Sequence, residues 1–206
     1  MRATRISRCE GRNIPWANGL GTSREIFLAE SESQQGAPTF LWRLATTRIE
    51  RDCPFSAYPG QDRTIVMTRG NGFELIHDSG KTQTVTAPFG AILFGGDWGT
   101  RCRLLDGPVE VLNLMASRRH VTCSLTPVAL SAERLVQEVY AGTKALYVLD
   151  GDVSARLEGD AEVTLEQGDT LRLALDAPSY LALRARESPA DLLLLHADFL
   201  ARTPSI

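Results

Sequence analysis

RTIVMTRG at residues 63–70 and KALYVLDG at residues 144–151 decide the fold. Each opens on a cation, runs through a short apolar strand and closes on a glycine, and the two copies stand about eighty residues apart. Each continues alike. After Gly70 come a strand-like run, a turn at Asp78-Ser79-Gly80, a second run, the turn Pro88-Phe89-Gly90 and a strand at 91–94. After Gly151 come a strand at 153–158, a Gly159-Asp160 turn, a strand at 161–165, the turn Gln167-Gly168-Asp169 and a strand at 170–174. Period-two alternation predicts further strands at 40–49, 64–69, 73–77, 109–115, 144–149 and 191–197, with turn signals every 8 to 12 residues or so between strands, as sandwiches and barrels require. Residues 131–140 read either as a helix capped by Ser131 or as a strand carrying Leu135, Val136 and Val139. SESQQGAP at 31–38 reads as an exposed loop.

Composition narrows the class. The 206 residues, 43% hydrophobic and 23% charged, are ordinary for a globular protein with one large or two small cores. A formal net charge of −3 argues against a surface that tracks nucleic-acid phosphates. No apolar run approaches the roughly 18 residues of a membrane span. MRATRISRCEGR at the start lacks the apolar middle of a signal peptide, so the expected compartment is the cytoplasm. Cys9, Cys53, Cys102 and Cys123 form no C-x-x-C pair and read as free thiols, with Cys53 packing as a small hydrophobe.

The doubled strand rhythm resembles the cupin superfamily twice over. It implies an all-β bicupin: two double-stranded β-helix (jelly-roll) barrels, residues 1–120 and 121–206. Many cupins hold a metal on paired His and a Glu. Here the Glu position falls on Arg63 and Lys144, the second-motif His on Leu93 and Leu171, and the upstream His positions on Ala57, Pro59, Glu138 and Tyr140. His77, His120 and His196 stand apart, so neither a metal nor any other cofactor is expected. His77 and His120 read as solvated, and His196 as a satisfied core histidine. A fixed Arg in a barrel mouth suits a carboxylate, which it can grip bidentately.

Two loops dense in Gly, Pro and polar residues complete the pattern: PWANGLGTSREI at 15–26 and DCPFSAYPGQDR at 52–63. Through Pro15, Trp16, Asn18, Gly19, Gly21, Thr22 and Glu25, Trp42-Arg43-Leu44, and the Pro-Phe-Ser-x-x-Pro-Gly-x-Asp-Arg string at 54–63, the chain resembles the HutD/Ves family of bicupins. Phe94, Gly96, Asp97, Gly107-Pro108-Val109 and Asn113-Leu114-Met115 extend the match. The resemblance implies a metal-free protein that binds a small acidic intermediate of histidine utilisation, such as formylglutamate or urocanate, and restrains expression of that pathway. Ala17 and Leu20 stand where the family usually has Lys and Gly, and Cys53 where it has Gly, which touches the ligand more than the fold.

The expected site is amino-terminal. Arg63 pairs a ligand carboxylate, Asn18, Thr22 and Ser56 hydrogen-bond to it, and Trp16 forms an apolar wall. Neighbours in a strand face opposite sides, so of Asp62 and Arg63 only one enters the barrel, and Arg63 is the choice. Arg43 either lines the pocket or pairs with Glu25, and Asp97 either caps the Gly95-Gly96 turn, the favoured role, or orients an Arg. The alternatives to a binding role are a metal-free cupin isomerase or hydrolase with Glu25 or Asp62 as general base, and a purely structural module. The carboxy-terminal barrel offers little to grip a ligand, and its leucines at 191–196 suit burial against a neighbouring sheet or across a homodimer.

Overall fold

The computed structural model describes residues 2–16, 19–30, 40–131, 133–186 and 192–201, the last of these by backbone alone. The chain is all-β. Among the described residues no helix is long and apolar enough to cross a membrane. Strands follow one another as β1 (Arg2–Ile6), β2 (Arg12–Pro15), β3 (Thr22–Glu30), β4 (Phe40–Ile49), β5 (Cys53–Pro54), β6 (Gln61–Arg69), β7 (Phe73–His77), β8 (Thr82–Val85), β9 (Ala91–Gly95) and β10 (Thr100–Leu104). They continue as β11 (Val109–Ser117), β12 (Val121–Leu130), β13 (Leu135–Val139), β14 (Gly142–Val148), β15 (Val153–Leu157), β16 (Val163–Leu165), β17 (Thr170–Leu175), β18 (Ser179–Ala185) and β19 (Leu192–Ala201). Of the stretch 131–140, residues Leu135–Val139 thus form a strand, with Val139 buried and Val136 exposed in period two.

Two compact units divide the chain, one spanning residues 11–121 and the other residues 2–10 with 122–201. The first holds a six-stranded sheet, β2-β3-β4-β11-β6-β9, and a four-stranded sheet, β5-β10-β7-β8. The second holds β1-β17-β14-β19-β12 and β13-β18-β15-β16. Within each, six consecutive strands follow one plan. β6 pairs β9 and β11 in one sheet while β7 pairs β8 and β10 in the other. In the same way β14 pairs β17 and β19 while β15 pairs β16 and β18. The sequence repeat is therefore a topological repeat, and Arg63 and Lys144 occupy the third residue of β6 and of β14.

Residues 2–6, placed by the sequence reading with the amino-terminal barrel, instead pair along β17 in the other unit. Asp169 anchors them. Its carboxylate is fully buried and accepts from Arg5 Nε at 2.8 Å and from the backbone N–H groups of Arg8 and Glu166 at 2.8 and 3.0 Å. The inside of this unit is filled by aliphatic side chains, Leu146, Val148, Leu171, Leu173, Leu181 and Leu183 among them. In the first unit a comparable cluster, including Ile65, Met67, Phe73, Leu75 and Val111, fills only part of the space between the sheets. The remainder is a pocket.

Candidate functional site

The pocket lies on the inner face of the six-stranded sheet, where strand register sets out its side chains in rows. Met115 of β11 stands opposite Arg43 of β4 on one side and Arg63 of β6 on the other, with Phe94 of β9 beyond Arg63. In the next row Asn113 is flanked by Ala45 and Ile65, and Glu25 lies beyond Ala45. A third row brings Ser23, Thr47 and Val111 together. A bulge at Ile26 adds one residue to β3 just after Glu25, and such an insertion re-aims the side chains beside it. The cavity volume is about 40 Å³.

Two buried cations dominate its electrostatics. Arg43 and Arg63 are only 8% and 5% exposed, far less than arginine tolerates without partners. Arg43 Nε is 2.8 Å from Glu25 Oε2, an ion pair that is not aligned as a hydrogen bond, and Arg12 from the rim reaches Glu25 Oε1 at 3.2 Å. Arg63 meets no carboxylate among the described residues. Its guanidinium is held over the rings of Phe55, Phe94 and Tyr58, at 5.0, 5.0 and 5.5 Å, and donates to the Ser56 carbonyl at 3.3 Å. Burial, with repulsion from Arg43 and against the attraction of Tyr58, pushes its pKa down from the ordinary arginine range to about 10. Among the described residues Arg43 Nη2, Arg63 Nε and Asn113 Oδ1 are buried without a hydrogen-bond partner. Native proteins rarely leave such groups unmet in the absence of a ligand or water.

The third row of the same sheet face is satisfied internally. Trp16 Nε1 donates to Ser23 Oγ at 3.0 Å, and Ser23 Oγ lies 2.6 Å from Thr47 Oγ1. Gly21 is needed here, because a Cβ on it would stand 2.9 Å from the Trp16 indole. Arg63, Arg43, Trp16 and Ser56 therefore line one pocket. Thr22 does not: it is exposed, and its neighbour Ser23 takes the inward position. Asn18 and the loop at 31–38 lie outside the described residues, as does the side chain of His196. Asp62 faces away from Arg63 and accepts from Arg118 Nε at 2.7 Å. Neither carboxylate weighed as a general base, Glu25 or Asp62, is among the residues that line the pocket.

Two sequence readings need correction. His77 is buried, not solvated: its ring nitrogens meet Thr100 Oγ1 and Gln83 Oε1, both at 2.9 Å, and Trp98 packs on it edge to face. Asp97 orients an arginine instead of capping the Gly95-Gly96 turn. It accepts from Arg118 Nη2 and from the Gly60 N–H, both at 2.6 Å, and these bonds hold its pKa below the usual 3.8. Gly60 adopts φ +77°, which suits glycine and turns its N–H toward Asp97. That clamp fixes the start of β6 two residues before Arg63. His120 is exposed, as expected, with Nδ1 2.8 Å from Ser117 Oγ. Sequence reasoning missed Asn113, Tyr58, Ser23 and Thr47. A lone Asn inside the apolar run VEVLNLMA was the available signal for the first.

No three His, Cys, Asp or Glu residues converge as a metal-ion site among the described residues. The site can thus offer positive charge, aromatic faces and one amide within a small cavity. An uncharacterised 21.2 kDa protein from the hutC 3′ region of Pseudomonas putida is 31% identical over 160 residues, which cover 78% of this chain and 80% of that one. Protein Ves of Citrobacter koseri is 27% identical over 156 residues, 74% of each chain. The structure of HutD from Pseudomonas fluorescens SBW25, obtained in a formate condition, superposes with a TM-score of 0.79 at 23% identity, covering 98% of this chain and all of that one. The HutD family model matches residues 9–190, and with the arginine-lined sheet in place this chain belongs to the HutD family.

Proposed function

We propose that the amino-terminal unit binds a small carboxylate and that the protein serves as a sensor of an acidic intermediate in histidine utilisation. The observation that carries this reading is the pair of buried guanidinium groups on one sheet face, with Arg43 Nη2 and Arg63 Nε lacking hydrogen-bond partners and Arg63 lacking a counter-charge among the described residues. A carboxylate supplies both at once: two acceptor oxygens and one negative charge, in the planar geometry a guanidinium matches. The hut-region name of the Pseudomonas putida relative supports the metabolic context, and the formate condition of the HutD structure fits a small acid. Glu25, tied to Arg43 and Arg12, and Asp62, tied to Arg118, are not placed as free bases, so binding accounts for the site better than catalysis. The test is thermal shift with formate, glutamate, urocanate and formylglutamate on the natural protein and on Arg63→Ala. A concentration-dependent rise in Tm confined to the natural protein is expected. No rise with any acid, or equal rises in both proteins, defeats the proposal.

A further inference from the structure

Resting on the carboxylate reading, we infer that the pocket selects acids carrying a single negative charge and a hydrogen-bond donor, and that Glu25 and Asn113 set this choice. The charge argument is a count. Among the buried groups Arg43 and Arg63 bring two positive charges, Glu25 at 2.8 Å from Arg43 removes one, and Arg63 keeps the other; Arg12, which also reaches Glu25, is 70% exposed at the rim and its charge is screened by water. A monocarboxylate neutralises the site. A second carboxylate on the same ligand would face Ile49, Ile65, Val111 and Met115 with no cation left to pair it, and an unpaired charge against apolar walls is among the costliest things a protein can bury.

The donor argument comes from Asn113. It is 7% exposed, lines the pocket and presents a buried oxygen with no partner. An oxygen acceptor cannot be met by a carboxylate, which is itself acceptor-only at neutral pH. The ligand must bring an O–H or N–H. Asn113 lies two residues along β11 from Met115, which stands between the arginines, and that spacing is roughly 6.6 Å along a strand. The donor therefore sits one or two atoms beyond the carboxylate, as in a 2-hydroxy acid. A cavity of about 40 Å³ holds on the order of three water molecules, the bulk of a two- or three-carbon acid head.

Four probes separate the two arguments by isothermal titration calorimetry on the full chain at pH 7.5. Glycolate and propionate are nearly isosteric and differ in the hydroxyl; malonate and monomethyl malonate differ in the second charge. Glycolate should bind about tenfold tighter than propionate, an advantage lost in Asn113→Leu. Monomethyl malonate should bind at least tenfold tighter than malonate, and Glu25→Gln, which frees a second positive charge, should shrink or reverse that ratio. If either variant fails to fold, the rankings in the natural protein decide the matter alone. Propionate matching glycolate, or malonate matching its monoester, overturns this inference while leaving the carboxylate reading intact. Failure of all four probes and of formate to bind instead refutes the reading on which it rests.

Discussion

Replacing Arg63 with methionine should abolish carboxylate binding at almost no cost in stability, because the arginine is maintained against the fold's own preference. Its pKa, pushed down from the ordinary arginine range to about 10, means that keeping it charged at neutral pH costs roughly 3 kcal/mol, at about 1.4 kcal/mol per pH unit. The folded protein releases this proton near pH 10 while the unfolded chain holds it to higher pH. The penalty is therefore fully present at neutral pH and relieved only as pH rises through that window. Against it stand three ring contacts of about 0.5–1 kcal/mol each and one hydrogen bond of about 1 kcal/mol, together again roughly 3 kcal/mol. Methionine keeps much of the volume and replaces the cation–ring contacts with sulfur–ring contacts, so no large cavity opens. With about 2–4 °C per kcal/mol for a chain of this size, Tm without ligand should move by no more than about 4 °C. The assay is differential scanning calorimetry with and without 10 mM formate, a concentration chosen as roughly that of a weak millimolar ligand. A fall of more than about 10 °C would make Arg63 a structural residue and refute the argument, as would a formate response equal to that of the natural protein.

Carboxylate affinity should hold level from pH 7 to 9 and fall as Arg63 loses its proton near pH 10, which titration calorimetry in matched buffers measures directly. Asp169→Ala should cost about 3–5 kcal/mol, since it strips a buried carboxylate from Arg5 and two backbone N–H groups; amide exchange should then accelerate first in β1. Burial raises the thiol pKa of Cys53 and pushes that of Cys102 up to about 12, so iodoacetamide at pH 8 should label exposed Cys9 quickly and spare both. The Cys102 thiol stays protonated in the fold while the unfolded chain ionises near pH 9, so its contribution to stability should decline as pH rises from 9 toward 12.

Where the sequence was legible, the information was local. Residues 73–77 alternate cleanly in burial and 40–49 form a largely buried run, and the two form β7 and β4 at those bounds. The same period showed that only one of Asp62 and Arg63 could face inward, and Arg63, the residue chosen, is the buried one. Thr22 was chosen as a polar residue of the loop at 15–26, and loop composition does not define the phase in which β3 begins; a slip of one residue exchanges the faces, and Ser23 turns inward. His77 and Asp97 were misread for another reason. Their partners, Thr100 and Gln83 for the first and Arg118 for the second, arrive from other strands and loops, and a single sequence does not announce such pairings. The placement of residues 2–6 on β17 is more distant still, since Arg5 and Asp169 are 164 residues apart.

The repeat makes the chemistry of the first unit interpretable, because the second supplies the same strand plan with a different filling. Leu171 and Leu173 of β17 occupy the strand that matches β9, and they pack with Leu146 and Val148 in an aliphatic cluster, in phase on β14 with Lys144, which is buried at the position that matches Arg63. On β11 the filling changes along a single strand: Val109 and Val111 pack in the apolar cluster, Asn113 comes next, and Met115 lies between two arginines. Close packing of the first part fixes the strand register, and that register holds two like charges on either side of one methionine where each alone would turn toward water. A site that repels itself in this way is poised for an anion, since binding one relieves the Arg43–Arg63 repulsion and satisfies the unpartnered guanidinium nitrogens in one step. The hollow in the first unit and the filled interior of the second are thus two fillings of one strand plan, and charge at the hollow is tolerable because the packed rows beside it do not yield.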